Sequence, residues 1–363
     1  MITKLKRFKK KFFNLAIFSI LQSCNYTSSV NADIYSPAFQ KLSEYHFFTG
    51  EMKNLLPNEN VLPYDLITPL FSDYAEKARF VWMPENTNAN YNDTDVFDFP
   101  EGTVLVKNFY YPGDFRNESG EKKIIETRLL IKRKGGWDAL PYIWNDGQTE
   151  AFLEVAGGNK KVSFIDKEGN NIEFDYSVPN KNQCKGCHIS NGKFQPIGPK
   201  ARNLNHDFIY IDGEKNQLEK WKEVGYLKNF YSSENSPRIA KWNDEKSGSL
   251  EERALAYLEV NCAHCHSPQG PAATSGLHLT TVEKNLSNLG ICKSPVAAGK
   301  GTGGLLYDIV PGKPNESILF YRMVSLDPGV MMPELGRKLV HKEGVELVRE
   351  WIASLKGDCN SQK

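Results

Sequence analysis

The sequence has almost no net charge and, after its first residues, no long apolar run, and both shortages exclude classes of protein. Lysine and arginine number 45 against 44 aspartate and glutamate residues, which leaves a formal charge of +1. That balance gives no electrostatic basis for binding nucleic acid. After Leu21 no segment is apolar enough to span a bilayer. At 363 residues, the chain is long enough for two domains with separate cores.

The one strong charge asymmetry lies at the amino terminus. A basic head over Lys4–Lys11 precedes an apolar run over Phe12–Leu21, which is typical of an export signal and short for a membrane span. Leu21-Gln22-Ser23-Cys24 has the form of a lipobox, in which Cys24 becomes the lipidated first residue. Alternatively, cleavage after Val30-Asn31-Ala32 removes Cys24. The lipoprotein form accounts for the lone cysteine, and we expect a lipid anchor in a bacterial membrane.

Cysteine is scarce, and four of the seven cysteines fall into two copies of one pattern. Cys184-Lys-Gly-Cys187-His188 and Cys262-Ala-His-Cys265-His266 both read C-x-x-C-H, the attachment site of a c-type haem. In that site the two thiols add across the haem vinyl groups, and the histidine becomes the proximal ligand of the iron. Two copies predict two covalently bound haem c groups and therefore redox chemistry.

The same cysteines allow a zinc site, because two C-x-x-C pairs can supply four thiolate ligands. That alternative does not explain why a histidine follows the second cysteine in both copies. Haem is attached outside the bacterial cytoplasm, which agrees with the export signal. We therefore predict haem rather than zinc at both motifs, in a periplasmic or cell-surface protein.

Two cysteines remain once the lipid candidate and the haem cysteines are assigned, namely Cys292 and Cys359. In an oxidising compartment such a pair is most simply a disulfide. The bond would connect the end of the chain to the middle of the second haem region, and closing so long a loop is worth roughly 4 kcal/mol. The alternative is two unpaired thiols.

The pattern before the first haem motif is that of β-structure. Runs of β-branched and aromatic residues alternate with turns that contain Gly, Asn or Asp. These runs are Thr103–Tyr110, Thr127–Lys132, Val162–Ile165 and Ile172–Tyr176. The first motif follows directly, so we predict an antiparallel β-rich domain with a haem site near its end.

The pattern around the second haem motif is helical. Ser249 and Glu252 form a capping box at the start of a helix that leads into Cys262. A terminal amphipathic helix is indicated by Val345, Val348, Ile352 and Leu355. A helix entering C-x-x-C-H, a loop-rich middle and a terminal helix are the layout of an all-α cytochrome c domain.

The predicted fold class is therefore α+β, with several domains. Their expected bounds are a signal peptide over 1–24, a tether over 25–37, the β-rich domain over 38–205, a linker over 206–246 and the cytochrome c-like domain over 247–359.

The second iron has a candidate sixth ligand in Met331-Met332-Pro333, which lies where a cytochrome c places its distal methionine. The proline favours Met332, since it fixes an extended backbone before it, with Met331 as the substitute. Histidine–methionine ligation raises the potential and suits electron transfer. Alternatively, both methionines fill the core. His264, inside the motif, is expected at the surface or beside a propionate.

The first iron has no methionine at cytochrome c spacing. His206 is close in sequence, and Met83, also followed by proline, would have to reach across from the β-rich domain. A third possibility is an open iron that binds a small molecule and is the catalytic or sensing centre. No spacing identifies a catalytic acid or base.

Part of the chain resembles cytochrome P460 and its cytochrome c′-β relatives. The resemblance is carried, in order, by Pro100–Lys107, Leu129–Trp137 and Cys184–His188. It implies a β-sheet protein with C-x-x-C-H near its end and a five-coordinate haem. Since a lysine is cross-linked to the haem in cytochrome P460, Lys107 and Lys132 are candidates for a lysine near the first haem.

A broader resemblance runs from about residue 38 to residue 355, to a family of dihaem c-type cytochromes discussed beside a parallel β-helix partner protein. It is carried by residues 62–66, 71–75, 182–188, 196–203, 260–266 and 331–336. It implies a secreted or surface-tethered dihaem protein whose redox partner is a protein, with the parallel β-helix protein as a candidate. It implies no substrate.

Three functions fit these residues. The first is electron transfer, with both haems low-spin. The second is a haem enzyme in which the first iron reacts with peroxide, hydroxylamine or nitric oxide and the second haem relays electrons. The third is a module whose haem is structural and whose β-rich domain binds a partner. We expect the first, an extracytoplasmic dihaem cytochrome.

Overall fold

The computed structural model describes residues 28–33, 35–117 and 119–359. The signal segment with Cys24, and the beginning of the tether, lie outside the described residues. The protein is α+β, with an antiparallel sheet in its N-terminal part and a more helical C-terminal part. None of the helices in the described ranges has the length and apolarity needed to cross a membrane.

The N-terminal part contains a six-stranded antiparallel sheet and a separate hairpin. Its strands are β1 (Leu62–Tyr64), β2 (Glu76–Trp82), β3 (Ala89–Asn90), β4 (Val104–Pro112), β5 (Lys122–Arg133), β6 (Gly136–Trp144), β7 (Ala151–Leu153), β8 (Gly158–Ile165) and β9 (Asn171–Val178). The order in the sheet is β1-β2-β4-β5-β6-β7, while β8 and β9 pair with each other. The four sequence-predicted runs coincide with β4, β5, β8 and β9.

The two faces of the six-stranded sheet have different neighbours. Phe80, Val106 and Leu129 point to one face and pack in a core with Leu42 and Phe47 of the N-terminal segment. The opposite face is covered at one end by the β8–β9 hairpin and at the other by an aromatic cluster. Between these ends it borders a cavity, which places sheet side chains at the candidate site.

The middle of the chain consists of short elements. They are α1 (Lys181–His188), β10 (Ile189–Ser190), β11 (Lys193–Phe194), α2 (Ala201–Leu204), β12 (Asp207–Tyr210), β13 (Gly213–Asn216), α3 (Gln217–Glu223) and β14 (Leu227–Lys228).

The predicted linker over 206–246 contains several of these short elements, and some of them contact the N-terminal part. β14 pairs in parallel with β3 of the N-terminal part. Trp221 of α3 is fully buried and its ring lies edge-on to Tyr64, with 5.7 Å between centroids. The segment is rich in turn residues, but its few apolar side chains are anchors in the core of the N-terminal part, and no periodic pattern reveals them.

The C-terminal part is organised by α4 (Leu250–Leu258), α5 (Ile318–Val324) and α6 (Lys342–Ser354). The predicted capping box is confirmed at Ser249 and Glu252. α4 packs against α6, and the core between them includes Leu258, Val348 and Trp351. The terminal helix is also confirmed, although it ends before Leu355.

Cys292 and Cys359 form the predicted disulfide, with their Cα atoms 5.1 Å apart and a sequence separation of 67. Cys359 is buried. The bond therefore fixes the segment after α6 to the loop before α5. A disulfide is consistent with an oxidising, extracytoplasmic compartment.

Polar contacts connect the N-terminal part to the C-terminal part. The Asp73 carboxylate accepts hydrogen bonds from the backbone N–H groups of Lys338 and Leu339, at 2.6 and 2.7 Å. Arg202 donates to both carboxylate oxygens of Glu259, each at 3.1 Å, and both side chains are almost fully buried. These contacts join the N-terminal part to the C-terminal part around the cavities.

Candidate functional site

The larger cavity has a volume of about 790 Å³ and lies between the sheet and the C-terminal part. Cys184, Cys187 and His188 of the first motif line it, and Lys107 lines it from the sheet. A space of this size falls within the range of small-molecule and cofactor sites. The first motif therefore faces a cavity large enough for a prosthetic group.

The smaller cavity has a volume of about 320 Å³ and belongs to the second motif. Cys262, Cys265 and His266 line it together with Met332. The remaining wall is largely apolar and includes Leu279, Leu289 and Ile309. Each motif thus has a cavity at its own side.

The first motif occupies α1, which begins at a capping box made by Asn180 and Gln183. At the end of the helix, the His188 ring stacks on Phe194, with 5.1 Å between centroids. Its Nδ1 atom lies 2.8 Å from the carbonyl oxygen of Gln195. A carbonyl can only accept, so Nδ1 carries the proton and Nε2 keeps its lone pair for a metal.

The second motif follows α4 through a widened helical turn over residues 259–263. The Asn261 side chain holds this turn, since it donates to the carbonyl of Tyr257 at 2.9 Å and accepts from the backbone N–H of Phe71 at 2.8 Å. His266 then places its Nδ1 atom 3.1 Å from the Ser275 hydroxyl. Nε2 of His266 is again the nitrogen left for a metal.

Both motif histidines are neutral at pH 7. Burial is the largest cause that lowers the pKa of His188 to about 4 and that of His266 to about 4. A lowered pKa means that the imidazolium is lost below neutral pH. The neutral ring is the form that binds a metal ion.

The two motifs touch each other. The Sγ atom of Cys265 lies 3.4 Å from the carbonyl oxygen of Gly186, inside the first motif. A second contact, at 2.9 Å, joins the backbone N–H of Asn191 to the carbonyl of Gln269. Cys187 lines both cavities. The two candidate sites therefore share a wall.

The geometry gives no four-thiolate zinc site. Over the described ranges, no three His, Cys, Asp or Glu side chains converge as the ligands of one metal ion. Cys184 lines only the larger cavity and Cys265 only the smaller one, whereas Cys187 and Cys262 line both. A hydrogen bond between Cys187 and Cys265 lowers the pKa of the Cys187 thiol and raises that of Cys265.

The consecutive methionines are placed differently. Met332 lines the smaller cavity with His266 and also reaches the larger cavity, whereas Met331 lines only the larger one. The backbone N–H of Met332 donates to the carbonyl of Arg322 at 3.0 Å, which fixes the loop. The structure thus brings the predicted ligand Met332 into the cavity of the second motif.

Met83 and His206, two of the possibilities for the first iron, line neither of these two cavities. Met83 directly follows β2, lies in a hydrophobic core with Trp221 and is 2% exposed. Nε2 of His206 lies 3.3 Å from the carbonyl oxygen of Asp65. The structure therefore places both side chains outside the cavity that the first motif lines.

The structure also shows where His264 and the two candidate lysines lie relative to the cavities. His264 lies between the cavities and lines both, and its buried Nδ1 atom has no hydrogen-bond partner among the residues that the structure describes. Of the two lysines, Lys107 lines the larger cavity, whereas Lys132 lies over the Trp137 ring, 5.6 Å from its centroid, and lines neither cavity.

Sequence reasoning missed two other residues of the larger cavity, Arg79 and Arg128. Both occupy strand positions where alternation alone allows either face. Their places beside Lys107 become visible only with the register of β2, β4 and β5.

Comparison with protein-family models, with curated proteins and with solved structures finds no match to this chain.

Proposed function

We propose that this protein is an extracytoplasmic dihaem c-type cytochrome that transfers electrons. Haem c would be attached to Cys184 and Cys187 in the larger cavity and to Cys262 and Cys265 in the smaller one. The proximal ligands would be His188 and His266. When bound, the haem groups supply one-electron redox chemistry at iron.

One observation carries this proposal, namely that each C-x-x-C-H motif lines a cavity and presents a histidine oriented for metal binding. In both motifs Nδ1 is engaged by a neighbouring oxygen, and the pKa is low enough for a neutral ring. An acceptor at Nδ1 fixes the tautomer and ring orientation of a metal-bound histidine. The donor set and the space therefore fit two haem groups.

The smaller cavity supports a role in electron transfer. Met332 would supply its thioether sulfur to the second iron opposite His266 and close the sixth position. The apolar side chains of this cavity exclude water, which also raises the potential of a bound haem. On this proposal the region over 247–359 is a cytochrome c-like domain, with α4 and α6 as its paired helices.

The contact between the motifs supports transfer between the two haem groups. A thioether sulfur is bonded to the vinyl-derived carbon at the edge of the porphyrin. Cys265 lies against Gly186, so the edges of both groups would lie close together. The chain holds them there through Glu259, Arg202 and the other contacts between its two parts.

The larger cavity favours a second candidate function, a haem enzyme of the cytochrome P460 or peroxidase type. Its sheet wall carries the cations Arg79, Lys107 and Arg128 in addition to apolar side chains such as Leu105 and Leu130. Such a wall suits a small polar reactant at the first haem, with the second haem as the electron relay.

The cellular setting is part of the proposal. Lipidation at Cys24 would tether the protein to a bacterial membrane, on its periplasmic or outer side, with residues 25–37 as the spacer. The partner would be another redox protein, and the parallel β-helix protein is a candidate for it. The proposal includes no nucleic acid.

The test is to produce the full chain in cells with working haem maturation and to measure pyridine haemochrome absorbance and intact mass. Two haem groups per chain are expected, and their absence contradicts the proposal. Optical and EPR spectra with carbon monoxide or nitric oxide then separate the two functions. Two low-spin centres inert to both gases support electron transfer, whereas a gas-binding high-spin centre lost in His188→Ala supports the enzyme.

A further inference from the structure

Three cations occupy one row across the sheet wall of the larger cavity. Arg79 of β2 lies directly opposite Lys107 of β4, which lies directly opposite Arg128 of β5. Directly opposite residues of antiparallel strands point to the same face, with Cβ atoms about 5 Å apart. All three residues line the cavity. Like charges in this position destabilise a sheet unless anions compensate them.

Two of the three cations have a carboxylate partner. Arg79 donates through Nη1 to Asp65. Arg128 donates through Nε and Nη2 to Glu126, whose side chain is fully buried and also accepts from the Tyr176 hydroxyl. Each of these two guanidinium groups therefore has one carboxylate as its partner.

Lys107 has no such partner. Across the part of the chain that the structure describes, its ammonium makes no hydrogen bond or ion pair, and it lies 4.6 Å from the centroid of the Phe109 ring. Burial, followed by the charge of Arg79, lowers the pKa of Lys107 well below its ordinary value. Without a counter-ion the ammonium form of Lys107 is thus disfavoured, and an anion beside it would stabilise that form.

Arg79 adds an unused donor. Its side chain is 3% exposed, and its Nη2 atom is buried with no hydrogen-bond partner among the described residues. A buried donor without an acceptor costs free energy, and more so when it belongs to a charged group. An anion in the cavity would satisfy both this nitrogen and Lys107.

We propose that the larger cavity binds a small inorganic oxyanion, with the Lys107 ammonium and the Nη2 group of Arg79 as its donors. This inference rests on the second proposed function, the haem enzyme, because the same cavity would hold a first haem whose iron is open to small molecules. The anion would then be a ligand or substrate of that centre. Charge-assisted hydrogen bonds from lysine and arginine are the strong contacts that oxyanions use in proteins.

Haem propionates are the other source of an oxyanion here. They lie on the porphyrin edge opposite the thioether bonds. Arg128, at the end of the row, and Cys184 of the first motif both line this cavity, and the charge of Arg128 lowers the thiol pKa against the larger effect of burial. If the row lies on the side of the thioether bonds, Lys107 is left to a free anion rather than to the propionates, and the experiment distinguishes the two.

The experiment measures nitrite affinity of the haem-loaded protein by calorimetry, with sulfate as an oxyanion that ligates iron poorly. Lys107→Gln removes the charge and keeps much of the side-chain length. Lys132→Gln is the matched control, because Lys132 lies on the same sheet over an aromatic ring but outside the cavities. Lys107→Arg keeps the charge. Haem content and circular dichroism are recorded for every variant.

We expect the parent protein, Lys132→Gln and Lys107→Arg to bind nitrite, and Lys107→Gln to bind it roughly 10- to 100-fold more weakly. Binding of nitric oxide, which is neutral, should not change in Lys107→Gln. Equal nitrite affinity in Lys107→Gln overturns the inference.

Two other outcomes also overturn it. In the first, the parent protein carries both haems but binds neither nitrite nor sulfate, and the reduction potential shifts in Lys107→Gln. That result means that the row binds the haem propionates. A low-spin first haem that becomes high-spin in Lys107→Gln makes Lys107 an iron ligand instead. Absence of haem is read separately by pyridine haemochrome and contradicts the proposed function itself.

Discussion

The larger and smaller cavities share a wall, yet their other walls come from different scaffolds. The smaller cavity is enclosed by helices and loops that present apolar side chains and the sulfur of Met332. The larger cavity is closed on one side by a sheet that presents Arg79, Lys107 and Arg128. Two copies of one short motif therefore do not make two equal sites, because the surrounding fold sets polarity and ligand supply.

The difference between the two cavities predicts different functions for the two proposed haem groups. An apolar wall and a thioether donor favour a closed iron with a raised potential. A wall with uncompensated positive charge favours an anion near the other iron. Variants that remove one feature of either cavity test whether the two cavities differ in this way.

Removing the thiols of one motif at a time should have the largest effect. Cys184→Ala/Cys187→Ala and Cys262→Ala/Cys265→Ala should each retain one covalent haem, so pyridine haemochrome absorbance per chain should fall by about half. Only the first of these double variants should keep a methionine–iron band, because Met332 lines the smaller cavity.

The opposite pattern would contradict the assignment of Met332 to the second motif. If the methionine–iron band survives only when the second motif is removed, a methionine of the larger cavity is the ligand. Unchanged haemochrome absorbance in both double variants would mean that neither motif binds haem covalently.

Replacing Met332 should have the next largest effect. Met332→Leu keeps an apolar side chain of similar volume but removes the sulfur, so the methionine–iron band should disappear and the potential of the second haem should fall. Met331→Leu is the matched control, since Met331 lines only the larger cavity. Optical spectra and redox titration of both variants provide the measurement, and a retained band in Met332→Leu excludes it as the ligand.

The elements of this fold follow from local patterns that the sequence displays. Alternation of β-branched residues predicts β4 and β5, and the Ser249–Glu252 capping box predicts the start of α4. The disulfide between Cys292 and Cys359 follows from counting cysteines in an exported chain. Each of these predictions depends on a few neighbouring residues or on the number of cysteines in the chain.

The arrangement of the site depends on contacts between distant residues. The Arg79–Lys107–Arg128 row requires the register of three strands, and the contact of Cys265 with Gly186 joins residues 79 apart. Met83 shows the same difficulty, because a Met-Pro pair alone does not reveal that the side chain is buried in a core. Long-range packing decides these positions, and single-chain patterns do not contain it.

Loss of the disulfide should destabilise the region of the smaller cavity. Cys292 and Cys359 are 67 residues apart, and opening a loop of this length costs about 4 kcal/mol. In Cys292→Ala/Cys359→Ala, urea should therefore remove the methionine–iron band of the second haem at a lower concentration than in the parent protein. If the urea midpoints of the two proteins agree, the bond contributes nothing to this region.

The smallest of these effects concerns the buried ion pair between Arg202 and Glu259, which joins the two parts of the chain. Arg202 and Glu259 both line the larger cavity, and Glu259 begins the turn that carries the second motif. Glu259→Gln would leave the buried Arg202 without its anion and should lower the free energy of unfolding by roughly 3 kcal/mol. Urea denaturation of the haem-loaded protein measures this loss.

Glu346→Gln is the matched control, because Glu346 also pairs with an arginine, Arg349, but both side chains are about half exposed. An exposed pair of this kind contributes about 1 kcal/mol or less. Equal losses in the two variants would mean that the Arg202–Glu259 pair is no more than a surface contact. A larger loss in Glu259→Gln, with changed spectra at both haem groups, would show that one buried pair holds two chemically different cavities in place.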